Sequence, residues 1–350
     1  MTIRLKPINN QLIVITGASS GIGLATTRLL AARGASLVLV SRNRAELERL
    51  ALECQRQGAR AIAAPADVGS FEQLEAVARV AVQTFGRIDT WINNAGVAIF
   101  GTCEQVPLAD HRRLFDTNYW GVVHGSLIAA RYLRQRGGKI INTGSVLSER
   151  AMMLQGPYSA SKHAVKGFTD ALRMELEAAE APISVTLIKP SAIDTPYMEH
   201  ARNFLPSEGT RNPPPSYDPR LVAKAIAYAC EHERREIVVG SGGWIVSALG
   251  ALAPRTTDYL MELVARVTQE TSYPGRSARR DNLYQAREDG AERSSLPGGS
   301  RKTSVFLEAQ LHPVLSAVAL VGVAAALVSF GASGSLRRPR TDQRKPSALV

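Results

Sequence analysis

Tyr158 and Lys162 stand four residues apart in Pro157-Tyr158-Ser159-Ala160-Ser161-Lys162, and at that spacing two side chains share one face of a helix, a turn apart. A free phenol has a pKa near 10 and is a poor base at neutral pH; a neighbouring ammonium stabilises its anion and lowers that value. Such a pair can give a proton to a developing alkoxide or take one from an alcohol. Taken alone, the pair is as easily exposed helix surface. Upstream, Thr143-Gly144-Ser145 closes a β-branched run, which puts a hydroxyl at the carboxyl edge of a sheet, where open α/β sheets hold their ligands. Ser145 is placed there to orient a substrate oxygen.

A second cluster, Thr16-Gly17-Ala18-Ser19-Ser20-Gly21-Ile22-Gly23, follows another short apolar run and leads into a helical pattern. Glycines let the backbone turn tightly against a pyrophosphate, and a helix N-terminus offers amide hydrogens and a favourable dipole. Gly17, Ser19, Ser20, Gly21, Ile22 and Gly23 are therefore the candidate phosphate cradle, the plainer alternative being a tight turn with no ligand. The next run ends in Val40-Ser41-Arg42-Asn43-Arg44. An acidic side chain here would hydrogen-bond a ribose 2′-hydroxyl and repel a 2′-phosphate, whereas Ser41 and Arg42 suit the extra phosphate. NADP(H) is the expected cofactor, unless Arg42 only solvates a helix start.

The elements that must position these residues are legible in the hydropathy pattern. Short β-branched runs at 12–16, 36–41, 61–66, 90–93, 139–143, 184–188 and 236–239 alternate with amphipathic stretches at 22–33, 43–57, 70–85, 107–135, 158–180 and 219–232. This predicts about seven strands in a doubly wound parallel α/β sheet with helices on both faces. Pro107 and Pro157 stand where helices can begin. Residues 194–220 carry Pro196, Pro206, Pro213, Pro214, Pro215 and Pro219 and cannot form one regular element; a flap over a substrate pocket is expected, a plain surface loop being the alternative. Ile99, Phe100, Met152, Met153 and Leu154 flank the expected pocket and point to a hydrophobic substrate, although ordinary loop packing accounts for them equally.

Together these motifs make the chain resemble the short-chain dehydrogenase/reductase family over about residues 8–250. The resemblance rests on 16–23, on Asn93-Asn94-Ala95-Gly96, on Asn118, on Ser145, and on Tyr158 with Lys162. It implies a Rossmann-type fold and an enzyme acting on a CH-OH/C=O group of a small molecule, with no metal. It further implies that Asn118 holds a water linking Lys162 to solvent and that Lys162 holds the nicotinamide ribose. Asp67 and Val68 would contact the adenine; Asn94, Ala95 and Gly96 would line the cofactor cleft; Pro190, Ile193 and Thr195 would lie at the nicotinamide. Pro190-Ser191 departs from the family's Pro-Gly and puts that loop's conformation in question. Helices 107–135 and 158–180 would build a homodimer or homotetramer interface.

The 350 residues and +11 formal charge divide unevenly. Residues 271–350 hold 12 Lys/Arg against 6 Asp/Glu, so over half of the excess lies outside the catalytic domain, and no recognition pattern for nucleic acid accompanies it. Cys54, Cys103 and Cys230 lack metal or redox spacing, which suits a reducing cytosol, and the first apolar run, 12–16, is too short for a secretion signal. The expected organisation is a catalytic domain at 1–255, a C-terminal helical extension with a polar linker at 256–312, an apolar segment at 313–332 and a basic tail at 333–350. Residues 314–330 are 17 uncharged positions, about 26 Å as a helix and close to the thickness of a hydrocarbon core. A cytoplasmic enzyme tethered to a membrane is expected from them, although the basic tail conflicts with a single span. Two other readings compete: a non-catalytic NADP-sensing scaffold tethered at a membrane, and a membrane-tethered basic adaptor.

Overall fold

The strands that the sequence predicts are buried almost end to end, because a parallel sheet covered by helices leaves neither face to water. In the computed structural model, which describes residues 3–273, 281–287 and 290–318, they are β1 (Leu12–Thr16), β2 (Ser36–Val40), β3 (Ala61–Ala63), β4 (Thr90–Asn93), β5 (Gly138–Thr143), β6 (Ile183–Pro190) and β7 (Glu236–Val239). They pair in the order β3-β2-β1-β4-β5-β6-β7, all parallel. The order reverses between β1 and β4, which opens a crevice at their carboxyl ends.

Helices α1 (Gly21–Ala32), α2 (Arg44–Arg56), α3 (Phe71–Phe85), α4 (Leu108–Phe115), α5 (Gly121–Leu133), α6 (Gly156–Ala178) and α7 (Pro219–Glu231) cover the sheet. Their starts are written in side chains. Asn43, Ser70 and Asp218 each accept a backbone N–H of the first turn of α2, α3 and α7, satisfying donors that the helix cannot. The expected single helix over 107–135 is interrupted: α4 and α5 are joined by a π-helical turn, Asp116–Trp120, a local widening often found at functional positions. Two further helices, α8 (Ser241–Leu252) and α9 (Pro254–Gln269), follow β7. The flap region 194–220 is pinned rather than loose, since Arg202–Asn203 pairs with Ile99–Phe100 and Gly209–Thr210 pairs with Glu270–Thr271.

Contacts divide the chain into two units, 1–307 and 308–350, and the sheet with its helices belongs to the first. The boundary departs from the expected linker at 256–312: its described residues 281–287 and 290–307 lie in the same unit as the sheet, tied by hydrogen bonds that their polar composition does not announce. Among the described residues no helix is long and apolar enough to cross a membrane. Positions 319–330 of the apolar segment, and the basic tail, lie outside the described residues.

Candidate active site

The glycine turn between β1 and α1 owes its shape to close backbone approach. Gly17 has φ +67°, and a Cβ there would lie 2.8 Å from Ala95 Cα. At Gly23 a Cβ would meet the Gly17 carbonyl oxygen at 1.9 Å, so Gly23 packs the turn rather than lining it. Asn94 locks this turn to the loop after β4: its amide donates to the carbonyls of Thr16 (3.2 Å) and Gly17 (3.3 Å), while Thr16 Oγ1 accepts the N–H groups of Asn94 and Ala95.

A cavity of about 450 Å³ runs from this turn along the carboxyl edge of the sheet, within the range of small-molecule sites. Gly17, Ser19, Ser20, Gly21 and Ile22 line it, as do Ser41, Arg42, Asp67, Val68, Asn94, Ala95 and Gly96. At its other end lie Ser145, Tyr158, Lys162, Pro190, Ile193 and Thr195. Of the expected site residues, Gly23 and Asn118 stand behind the lining.

The catalytic candidates converge around Gly96. A Cβ on that glycine would stand 3.5 Å from Asn118 Oδ1, 3.8 Å from the Tyr197 hydroxyl and 4.0 Å from Lys162 Nζ. Asn118, in the π turn, has no exposure. Its amide donates to the Val97 carbonyl (3.0 Å) and accepts the Val97 N–H (2.8 Å), and it also donates to Ser161 Oγ at 3.2 Å. That side chain is spent on holding the loop after β4. Ser145 Oγ accepts the Leu147 N–H at 3.1 Å, capping the short turn Val146–Ser148, which leaves its hydroxyl proton to point to the Tyr158 side of the cleft.

One expectation reverses. Lys162 Nζ donates to the Thr143 carbonyl at 2.9 Å and sits 5.7 Å from the Tyr158 ring centroid. Burial pushes the Tyr158 phenol above its ordinary pKa, opposed by side-chain hydrogen bonds with Ser145 and Tyr197. Burial also pulls Lys162 down to about 8. Burial is the largest cause at both groups, so the direction at Tyr158 is upward, opposite to the lowering that its spacing from Lys162 suggests.

Tyr197 was not anticipated. Its hydroxyl donates to the Val97 carbonyl at 2.6 Å, and its ring meets Tyr158 edge-on with centroids 5.9 Å apart. Its place two residues after Thr195, inside the proline-rich stretch, was the available signal. Of the five residues expected to flank the substrate pocket, only Met152 lines the cavity. Ile99, Phe100 and Leu154 are buried in small cores, and Met153 points out at 39% exposure, so loop packing accounts for these four. The apolar wall comes instead from Val146, Leu147, Met198, Val246 and Met261 beside Met152, partly from α8 and α9. Ser191 needs no glycine-like backbone; its Oγ accepts the Gly243 N–H at 3.3 Å and so anchors the start of α8.

At the adenosine end, burial works against the Asp67 carboxylate, but the Gly69 N–H, Arg113 and Arg42 together hold its pKa below the ordinary value; Arg113 approaches it at 2.5 Å. The Arg42 guanidinium donates to the backbone carbonyls of Leu283 (3.3 Å) and Tyr284 (3.1 Å), and to that of Asn282. Three buried oxygens of cavity-lining residues, Thr117 Oγ1, Thr143 Oγ1 and Asn282 Oδ1, have no hydrogen-bond partner among the described residues. Buried polar atoms left unsatisfied in the wall fit a site made to take a polar ligand, and a glycine turn at one end with a phenol and an ammonium at the other suits a dinucleotide in length and chemistry.

A parallel sheet with this strand order and a cleft of this composition define a nicotinamide-binding α/β enzyme. The family model for short chain dehydrogenases matches residues 11–205, more than half of the chain, and the chain belongs to this family; it is an oxidoreductase. The uncharacterized oxidoreductase YxnA of Bacillus subtilis (strain 168) is 42% identical over 325 residues, 92% of this chain and 91% of its own. Coverage of that extent reaches past residue 300, so the likeness includes the segment after β7. The ketoacyl reductase HetN of Nostoc sp. (strain PCC 7120) is 30% identical over 265 residues, 73% of this chain and 89% of its own. Among solved structures, an alcohol dehydrogenase from the archaeon Thermococcus sibiricus complexed with 5-hydroxy-NADP matches with TM-score 0.58 and 26% identity over 67% of this chain and 97% of that one. A short chain dehydrogenase/reductase from Burkholderia phymatum in complex with NAD gives TM-score 0.61 and 27% identity over 76% and 98%.

Proposed function

We propose that this oxidoreductase uses NADP(H) and works as a reductase of a hydrophobic ketone or aldehyde. The observation that carries the reading is the gathering of Tyr158, Lys162, Ser145 and Asn118 at one end of a cleft whose other end holds the glycine turn and Arg42. Bound nicotinamide supplies the hydride, and the protein supplies position and a proton. Ser145 donates its hydroxyl proton to the substrate oxygen and fixes its direction. Tyr158, kept protonated at neutral pH by its burial, gives its proton to that oxygen as negative charge develops there. Lys162, with a pKa brought down to about 8, is charged at neutral pH yet able to pass a proton back towards the phenol. Asn118 acts through the loop it holds.

Reduction fits a phenol that starts protonated, and the apolar wall of Val146, Met152, Met198 and Met261 fits a greasy carbonyl carrier. Support for NADP(H) over NAD(H) comes from Ser41 and Arg42, with no carboxylate at the end of β2, and from the NADP-related ligand carried by the Thermococcus sibiricus relative; the Burkholderia phymatum relative carries NAD, so the preference needs its own measurement. Following NADPH oxidation with ketones and aldehydes of graded apolar size tests the reading. Turnover that rises with apolar size and exceeds that with NADH is expected. Faster turnover with NADH rejects the cofactor assignment, and inertness toward the whole panel rejects the reductase.

Assembly as a homodimer or homotetramer through α4, α5 and α6 is part of this proposal, supported by the exposed Trp120, Leu127 and Met174 on those elements and testable by sedimentation. Membrane association through 314–330 rests on its apolar sequence, and extraction by detergent but not by salt is its test.

A further inference from the structure

The chain returns to its own cofactor cleft after β7, α8 and α9 have closed the sheet. Residues 281–287 and 290–295 lie across the donors that the sequence assigns to phosphates. Arg42 gives its guanidinium hydrogens to the carbonyls of Asn282, Leu283 and Tyr284. Arg113, already on Asp67, donates to the Leu283 carbonyl at 3.0 Å. Asn43 donates to the Arg287 carbonyl at 2.7 Å. At the start of α1, the Gly21 N–H donates to the Ala291 carbonyl at 2.8 Å. Asn282 has a buried amide oxygen without a partner, and it lines the cavity.

Both ends of this crossing are fastened away from the cavity. Leu283 is fully buried in a small core with Val97, Ile99, Val106 and Leu114, and the Tyr284 hydroxyl donates to Asp110 at 2.8 Å. At the far side Arg293 pairs with Asp218 at the start of α7, and Glu292 bridges Arg28 (2.7 Å) and Arg220 (3.1 Å). The carboxylates of these pairs are nearly buried while their arginines reach water, so the crossing is held by a few side-chain bonds and one apolar anchor. Such a segment can open without unfolding the sheet.

We propose that these residues form a strap that roofs the adenosine half of the dinucleotide site, that the Asn282 amide is a cofactor ligand accepting a hydrogen bond from an adenosine amino or hydroxyl group, and that cofactor leaves only when the strap lifts. The proposal rests on the oxidoreductase reading but not on the choice between NADPH and NADH, because Asn282 is assigned to an adenosine amino or hydroxyl group that both dinucleotides carry.

The test is release of NADPH and of NADH from the full chain, followed by stopped-flow nicotinamide fluorescence. Tyr284→Phe and Arg293→Ala loosen the two ends without altering a residue that lines the cavity, and each speeds release of both dinucleotides by roughly 3- to 10-fold, the scale of one lost hydrogen bond. Asn282→Ala weakens the binding of both by about 10-fold for the same reason. In the unaltered protein, either dinucleotide slows amide hydrogen exchange across 281–287 and 290–295, a readout that stands even where a variant fails to fold. Unchanged release rates in the end variants, or exchange in the strap that ignores bound cofactor, overturns the strap while leaving the enzyme intact. Binding of neither dinucleotide overturns the oxidoreductase reading itself and removes the strap's ligand with it.

Discussion

The two ends of the cleft are built on different principles. At the catalytic end every group is placed by the element it belongs to: Tyr158 and Lys162 by one face of α6, Ser145 by the end of β5, Asn118 by the π turn between α4 and α5. At the adenosine end the key cation, Arg42, is held by carbonyls some 240 positions away in the chain. Local geometry makes the first end rigid and ready before any ligand arrives. Long-range backbone contacts make the second dependent on a segment that must be in place, which couples cofactor retention to the C-terminal part of the chain.

The sharpest test of the catalytic end is Tyr158→Phe, which keeps the ring against Tyr197 and removes only the hydroxyl. Loss of a positioned proton donor costs about 10²- to 10⁴-fold in kcat, while cofactor affinity, governed by the other end, stays within a few-fold in fluorescence titration. A kcat that survives, or an affinity that collapses with it, breaks the division between the two ends.

Lys162 gives a second, pH-dependent test. Its folded pKa is about 8 against an ordinary 10.5, so between pH 8 and 10.5 the unfolded chain binds more protons at this position than the folded one. Stability therefore rises with pH through that window, and below pH 8 the cost of burying the ammonium is fully present, on the order of 3 kcal/mol from 1.36 kcal/mol per unit. Lys162→Met should be relatively more stable than the parent at pH 7, with the advantage gone near pH 10.5, as denaturant midpoints at both pH values would reveal. The same variant should be slow at pH 7 and lose the fall in reductive kcat that the parent shows as pH rises through 8. A parent whose kcat is flat from pH 7 to 10 sinks the role of Lys162 as proton source.

How much of this was legible in the sequence follows the same division. β1, β4 and β7 begin and end where the apolar runs do, and Gly17, Ser145, Tyr158 and Lys162 were found because strand ends and helix starts carry local signatures. The π turn was not legible, since the Asn118 bonds to Val97 that accompany it join residues 21 apart in the chain and leave no local signature in 107–135. Ile99, Phe100 and Leu154 stood equally as pocket wall or as loop packing, because apolar side chains beside a site and apolar side chains in a core look alike until packing separates them. The direction of the Tyr158 pKa was not legible for a similar reason: spacing reports a neighbour's charge but not the burial of both groups. The strap carried no periodicity at all, because its bonds are made by backbone carbonyls, which every residue has.

Arg42→Ala is the milder change that joins the two halves of the comparison. A charge-assisted hydrogen bond is worth about 1.5–3 kcal/mol, so loss of a 2′-phosphate contact weakens NADPH by roughly 10- to 100-fold on that scale. NADH has no such phosphate and feels Arg42 only through the strap, for which a loss of a few-fold is expected, as calorimetric titration of both dinucleotides would measure. The ratio of the two effects divides the guanidinium between its two tasks. Equal weakening of NADH and NADPH would make Arg42 a strap anchor alone and withdraw the NADP(H) preference, whereas an NADPH-only effect would mean that the three carbonyls merely occupy Arg42 until a phosphate replaces them.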